Sequence, residues 1–532
     1  MQENNTQKKS AFSEAKLSQT ENYRWQTCIY TAILAVAACM AMCVHFFPSY
    51  DMAFVLCPWI YLPCFLYISR HMHGKIQYFL WLFFWCGSFM IRYWDFLSAF
   101  NRSVSIVLTF VASIVYLLPF AIDHMVYMKG PRAVSWLMFP FACAAIDYAL
   151  ELTSLGSLFS MATTQFDNKP LLQLASIFGN KGIVFVLALT ASLLVYHRRN
   201  PKKFILCLAA VALLHLCGFL RIYPERPAID SSEKISIGWS AEPVKDDSFF
   251  VADSDGSLAY NVECLKLALE EAKAMDLQLL CFPEESFYLY SNKHDEFLEN
   301  AQALAKEYGI NLLLSVEAGD YLTEDNKVIE SVSDIEDSSS PILDVSLNHC
   351  VFINAEGEID SDYVKSILIP VAEKPYYLEG DSVLPRVSAK LDGQDLILSY
   401  AICFDGDFAS YIRTSPNDTS LFIDVSWDWD AIDEFHYRII GMRAVENGFT
   451  VVKPTINGYT TVTDYLGKVW SKTHADETGY QGVNKVTLPI AKTETIYHKA
   501  GNLIDQLYII GVVLLFIIFL LGGNYKWKRK NH

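Results

Sequence analysis

Apolar residues run almost without a break from residue 25 to residue 222, and then the pattern changes. A membrane-crossing helix needs roughly 20 predominantly apolar residues. Seven such stretches follow one another, near 25–47, 51–69, 76–97, 103–123, 132–152, 171–197 and 203–222, and an eighth lies at 506–522. Three carry charges: Arg92 with Asp95 in the third, Asp147 in the fifth and Lys181 in the sixth. So many consecutive stretches predict a multi-span α-helical membrane domain rather than buried helices of a soluble protein. The first exceeds the roughly 7–15 residues of a signal-peptide apolar region, and further spans follow at once, so it reads as a retained helix.

From 223 to 505 the periodicity is that of a globular domain. Strands are predicted at 234–239, 277–282, 310–316, 350–354, 396–402 and 421–425, with another beginning at 450–452. Helices are predicted at 258–275, where Val262, Leu265, Ala268 and Leu269 share a face, and at 295–307 and 435–446. The acidic, serine-rich stretch 324–340 reads as a solvated loop. Strands alternating with helices argue for a layered α/β domain. The division expected is a cytoplasmic tail (1–24), a seven-helix membrane domain (25–222), a globular domain (223–505) and a C-terminal span with a basic tail (506–532).

Basic residues give this layout a direction, because lysine and arginine accumulate on the cytoplasmic side. Lys8, Lys9, Lys16 and Arg24 precede the first span. Arg70 and Lys75 follow the second, Lys129 and Arg132 the fourth, and Arg198, Arg199, Lys202 and Lys203 the sixth. Lys526, Lys528, Arg529 and Lys530 close the chain, whereas the third loop has only Arg102 and the fifth only Lys169. Alternate connections are thus cytoplasmic, and seven spans deliver 223–505 to the outer face of a cytoplasmic membrane.

Composition narrows the function. Hydrophobic residues make up 52% of the 532, charged residues only 19%, and the net charge is −17. A chain this negative repels phosphate backbones, so no nucleic-acid partner is expected. Nine of the 13 cysteines lie in or near the apolar spans, where they pack as small hydrophobes. Cys264, Cys281, Cys350 and Cys403 lie in the globular domain without the tight spacing of a disulfide framework. There is no CxxC or HExxH pattern, so neither a metal nor a cofactor is expected.

Three stretches carry chemistry. Phe282-Pro283-Glu284-Glu285 puts a carboxylate after a buried run. Lys365 opens an apolar stretch that ends at Glu373. Ala401-Ile402-Cys403-Phe404-Asp405 puts a thiol at the end of a predicted strand. Each alone has an ordinary reading as a turn residue, a solvated charge or an inert core thiol. Together they supply a nucleophile, a base and a cation for developing negative charge, if the fold brings them together.

These residues resemble the nitrilase superfamily, with its Glu-Lys-Cys set, and the chain as a whole resembles the apolipoprotein N-acyltransferases, its membrane-embedded branch. Glu284, Lys365 and Cys403 match the three catalytic positions, and the eight-residue step to Glu373 matches a second glutamate. His436 and the run Gly441 to Gly448 resemble the helix after the nucleophile; Pro170 to Ala175 and Gly179 to Gly182 resemble the sixth span. Ala372, Phe404 and Asp405 stand where the family usually has Gly, Tyr and Glu. Ser426-Trp427-Asp428-Trp429 only loosely matches its Asn-Asp-Ala-Trp, and the usual Gln and Asn are absent near Ile237-Gly238-Trp239-Ser240.

The resemblance implies an α-β-β-α sandwich and an acyl transfer through a Cys403 thioester. It implies a phospholipid donor and, as acceptor, the diacylglyceryl-modified N-terminal Cys of a lipoprotein. Supporting roles are expected for Glu373, Phe404 and Asp405. Nothing calls for more than a monomer. Phe287-Tyr288-Leu289-Tyr290 and Tyr376-Tyr377-Leu378 are expected either to form a lip dipping into the membrane interface or to pack under the domain. Two other readings stand beside this one: a membrane-bound amidase with water as acceptor, and a non-enzymatic membrane scaffold.

Overall fold

The computed structural model describes residues 21–42, 51–93, 102–129, 134–232, 234–240, 254–322, 342–343, 345–370, 372–429, 432–475 and 482–522. The expected loop 324–340 and the charge Asp95 lie outside the described residues. The chain forms two compact units. One comprises residues 1–146, 184–211 and 508–532; the other comprises 147–183 and 212–507.

Five described helices are long and apolar enough to cross a membrane: Glu21–Met42, Arg102–Met128, Ala175–His197, Pro201–Asp230 and Ile496–Leu521. They overlap the first, fourth, sixth, seventh and eighth expected stretches. The other three stretches are also helical, at Asp51–His71, Lys75–Arg92 and Met138–Glu151. Met138–Glu151 has 14 residues. At about 1.5 Å per residue it falls short of a hydrocarbon core about 30 Å thick.

In the first unit many large apolar side chains are exposed while several polar and charged ones are buried, the reverse of a soluble bundle's surface. Phe79, Leu206 and Leu521 are exposed, whereas Arg70 and Asp123 are fully buried. Arg70 bonds both Asp123 oxygens at 2.8 Å, the Ser192 hydroxyl at 2.8 Å and the Ser135 carbonyl at 3.0 Å. A buried guanidinium persists in an apolar medium only when paired and hydrogen-bonded in this way.

The second unit is built on two seven-stranded sheets. In the first the order is Asn484–Pro489, Lys234–Trp239, Leu279–Cys281, Asn311–Ala318, Leu347–Ile353, Ile359–Val364, with Phe287–Leu289 also pairing Asn311–Ala318. In the second it is Val469–Ala475, Gly458–Thr463, Thr450–Lys453, Leu421–Trp427, Gln394–Ile402, Val387–Leu391, with Thr455–Ile456 also pairing Leu421–Trp427. Alternation along each strand sorts the side chains between two cores. Leu279, Cys281, Leu313 and Phe352 of the first sheet meet Leu398, Tyr400, Ile423 and Val452 of the second. The intervening Leu280, Leu312, Leu314 and Val351 face the other way, onto Leu265, Leu269, Phe297 and Ala301 of the helices Ser254–Ala274 and His294–Tyr308. Helix Asp433–Asn447 is buried over almost its whole length and packs on the second sheet, so the layers are α-β-β-α. Each fully buried Leu, Val or Phe contributes roughly 1.5–3 kcal/mol.

Local sequence explains where the helices stop. His294–Tyr308 begins with Asp295 and Glu296, which suit the positive end of a helix, and closes on Gly309 in the left-handed region. Asp433–Asn447 likewise closes on Gly448. Cys281 and Cys350 are free thiols.

Candidate active site

Three strand ends deliver the three groups the sequence singled out. Glu284 follows Leu279–Cys281, Lys365 directly follows Ile359–Val364, and Cys403 directly follows Gln394–Ile402. Lys365 Nζ lies 2.7 Å from Glu284 Oε1 and 2.6 Å from Glu373 Oε1. Glu284 Oε1 also accepts from Asn348 Nδ2 at 3.0 Å, and its Oε2 accepts from the Trp427 backbone N–H at 3.0 Å. Cys403 Sγ donates toward the Trp427 carbonyl at 3.9 Å. Carboxylate and thiol thus meet on the backbone of one residue, at the end of the strand beside Cys403's own. Glu373 Oε2 accepts from Ile369 N–H at 2.9 Å, which fixes it opposite Glu284 across the ammonium.

The turn carrying the thiol is strained and braced. Cys403 has φ +49°, a region costly for a residue with a Cβ, and such conformations persist only where surroundings enforce them. Asp405 is one enforcer. It accepts from Tyr363 Oη at 2.7 Å, Ile367 N–H at 2.7 Å and Ile402 N–H at 3.2 Å, tying the thiol turn to the segment after Lys365. Asp405 therefore acts on the site through the backbone. Phe404 is buried edge-on against Phe408. Behind the turn, Arg443 Nε donates to the Gly406 carbonyl at 3.0 Å and Ser157 N–H to the Asp407 carbonyl at 3.0 Å. Arg443 in turn pairs with Glu446, which accepts from Asn180 N–H at 2.8 Å. Lys181, flagged as a charge inside an apolar stretch, is fully buried and pairs with Glu151. It lies 3.8 Å from Asp505.

The electrostatics follow from burial. Burial pushes the Cys403 thiol well above its ordinary range and Glu284 adds to this, while Lys365 pulls it back down, so the resting group is a neutral thiol. Burial alone would strip the proton from Lys365, but Glu284 and Glu373 outweigh it and hold the pKa well above normal. Burial raises the Glu373 carboxyl, against the pull of Lys365. Asp405 is pushed up to about 7, again chiefly by burial.

A further cluster borders the thiol. Cys403, Asp428 and His436 each bring a potential metal-ligand atom within 4.8 Å of the others. Asp428 already accepts from Lys453 at 2.6 Å and contacts His436 Nδ1 at 2.5 Å. A divalent cation would therefore compete with an ammonium for the same carboxylate. Burial works against a charge on His436, but Asp428 prevails and holds its pKa above normal.

Sequence reasoning missed several of these groups. Asn348 and Trp427 act through an amide and a backbone N–H, which no spacing announces. Glu285 has no role of its own in the Pro283-Glu284-Glu285 motif, and no local pattern marks Glu317 or Lys453. One expectation divides. Phe287–Leu289 is a short strand paired to Asn311–Ala318, with Phe287 and Leu289 fully buried. It is no lip, because its side chains complete the core against the helices. Tyr376 and Leu378 are 45% and 52% exposed, as a lip requires, whereas Tyr377 turns inward to Glu285 and Glu317.

A two-sheet sandwich with thiol, carboxylate and ammonium gathered at its strand ends defines a domain of the nitrilase superfamily. Residues 252–496 match the carbon-nitrogen hydrolase family, and residues 33–193 match the apolipoprotein N-acyltransferase N-terminal domain. With both matches in one chain, this chain belongs to the apolipoprotein N-acyltransferase family. It is 22% identical over 431 residues to an apolipoprotein N-acyltransferase of Geobacter metallireducens, covering 77% of this chain and 79% of that one. The corresponding Shewanella oneidensis protein is 25% identical over 418 residues, covering 72% and 73%. A Rickettsia bellii relative is 28% identical over 158 residues, a match spanning 29% of each chain. Among solved structures, an amidase from Nesterenkonia sp. matches 48% of this chain and 91% of its own at 18% identity, with a TM-score of 0.37.

Proposed function

We propose that this protein transfers a fatty acyl chain from a phospholipid to the α-amine of the lipidated N-terminal Cys of lipoproteins, through a thioester on Cys403. The observation that carries this is the Lys365 ammonium held between Glu284 and Glu373 beside a buried thiol, in a chain with membrane-length helices. Both substrates are then lipids or lipid-anchored, which gives an enzyme of this class a reason to be membrane-embedded.

Glu284 takes the proton from the Cys403 thiol, because the thiolate is the nucleophile. The sulfur attacks the ester carbonyl of the phospholipid. Lys365 and a backbone N–H near Phe404 stabilise the oxyanion. The intermediate collapses with loss of the lysophospholipid alkoxide, which takes the proton back from Glu284. In the second half the acceptor amine attacks the thioester and gives a proton to Glu284. Collapse forms the amide and releases the thiolate, which is reprotonated. Glu373 holds Lys365 in place throughout. Ping-pong kinetics follow from the covalent intermediate.

The protein sits in the bacterial cytoplasmic membrane as a multi-pass chain. The membrane-length helices up to residue 222 and the one near the C-terminus span it, and residues 223–505 face outward. All three reacting residues come from one chain, so a monomer suffices. The test is a transfer assay with acyl-labelled phospholipid and a diacylglyceryl-modified peptide, run beside simple amides. Label in the peptide as an amide is the expected result. Ammonia release from the amides with no labelled peptide would replace the proposal with an amidase.

A further inference from the structure

Behind the Glu284–Lys365–Glu373 bridge lies a second group of carboxyls that the proposed reaction does not use. Glu285 sits next to the base with φ +54°, and Glu317 is buried at the end of the neighbouring strand. The Tyr377 hydroxyl lies 3.1 Å from Glu285 Oε1 and 3.1 Å from Glu317 Oε1. A phenol has one proton to donate. It therefore donates to one carboxylate, and the second contact is a hydrogen bond only when that carboxyl brings its own proton. Asn348 connects this pair to the base: its Nδ2 donates to Glu284 Oε1 at 3.0 Å and to Glu285 Oε1 at 3.3 Å.

We propose that Glu285 and Glu317, bridged by the Tyr377 hydroxyl, form a carboxyl pair that shares one proton, orients Asn348 and limits the negative charge felt by Glu284 and Cys403. These are positioning residues for the proposed reaction, so this inference rests on that proposal for its catalytic consequence only. The groups facing Glu285 are Glu317, Glu284, Lys365, Glu373 and Tyr377; those facing Glu317 are Tyr377, Glu284, Ser346, Glu373 and Glu285. Three carboxyls, Glu284, Glu285 and Glu373, thus face one ammonium with Glu317 behind them, and two like charges as close as Glu285 and Glu317 do not both ionise readily. In support, Glu317 is pushed up to about 7 by burial and its neighbours, and Glu285 is raised well above normal for the same reasons. Loss of the shared proton would add a charge that opposes the Cys403 thiolate.

The test uses the full-length protein in detergent and needs no substrate. Infrared titration of the wild type minus Glu317→Gln, a difference in which other buried carboxyls such as Asp405 cancel, should show a protonated-carboxyl band that persists at about pH 6 and disappears through about pH 7. The same band should appear in wild type minus Glu285→Gln, and it should shift in frequency in Tyr377→Phe, which keeps the ring and removes the bridge. Alkylation at Cys403, taken as the difference from Cys403→Ser, should be roughly tenfold faster in Glu317→Gln than in wild type at about pH 8, one pKa unit of relief. A wild-type band already lost by about pH 5, or one unchanged in Tyr377→Phe, would overturn the shared proton. Equal alkylation rates would overturn its influence on the thiol. Neither readout involves acyl transfer, so failure here and failure of the proposed reaction are distinguishable.

Discussion

At the scale of single residues, the site is a problem of charge in a buried place. Lys365 is stable there because two carboxylates flank it. Glu284→Gln keeps the shape and leaves Lys365 its second carboxylate, Glu373, but removes the base. Transfer per folded molecule should fall by about 10²–10⁴-fold, measured as single-turnover rates below the melting temperature of the variant. Lys365→Met instead leaves Glu284 and Glu373 facing each other without a cation. That should cost roughly 3–5 kcal/mol of stability, read as a lowered melting temperature, besides abolishing activity. Glu317 gives a pH signature of its own. The folded carboxyl holds its proton up to about 7, against an ordinary 4.5. Between those values the folded state binds a proton that the unfolded state has lost, so stability falls as pH rises through the window. Glu317→Gln should flatten that decline, measured as melting temperature at about pH 5 and about pH 7.5.

At the scale of elements, strand ends and one helix do the positioning. The residues that meet at the strand ends were legible because the Cys403 turn, Pro283-Glu284 and Lys365 to Glu373 each carry an ordered local signature in the sequence. Strand 394–402 and the helix near 435–446 were legible from apolar runs and spacing. Ile359–Val364 was not, because Asp360, Ser361 and Asp362 make an edge strand polar on both faces. Asn348, Glu317 and Tyr377 were illegible for a different reason. They come from separate segments, and only strand pairing in three dimensions sets Asn348 beside Glu317. The same holds for Lys181, which in sequence is a charge spoiling an apolar helix and in the fold is the partner of Glu151 and Asp505. Lys181→Met should therefore destabilise the protein, by roughly 3–5 kcal/mol, although it makes the helix more apolar. A thermal melt in detergent that showed stabilisation would refute this account of the pair.

At the scale of the whole molecule, lipid-facing helices and a layered α/β domain occur in one chain. The exposed Leu206, Phe219, Leu514 and Leu521 need an apolar surrounding that water does not supply. The orientation proposed from the lysines and arginines places the connections 72–74 and 198–203 in the cytoplasm. Single cysteines introduced there, in a background depleted of exposed cysteines, should resist an impermeant maleimide in intact cells, whereas one in residues 324–340 should react in spheroplasts. The reverse pattern would invert the topology and separate the site from an outer-leaflet donor.

The central claim is a thioester on Cys403, and intact-protein mass spectrometry reads it directly. The purified protein would be incubated with phospholipid and no acceptor, beside a Cys403→Ser variant. The account predicts an added fatty-acyl mass on the wild type that hydroxylamine removes and that no hydroxylamine-labile form of the variant carries. A folded wild-type protein that never gains an acyl mass, or one that gains it equally in a hydroxylamine-labile form without Cys403, would contradict it.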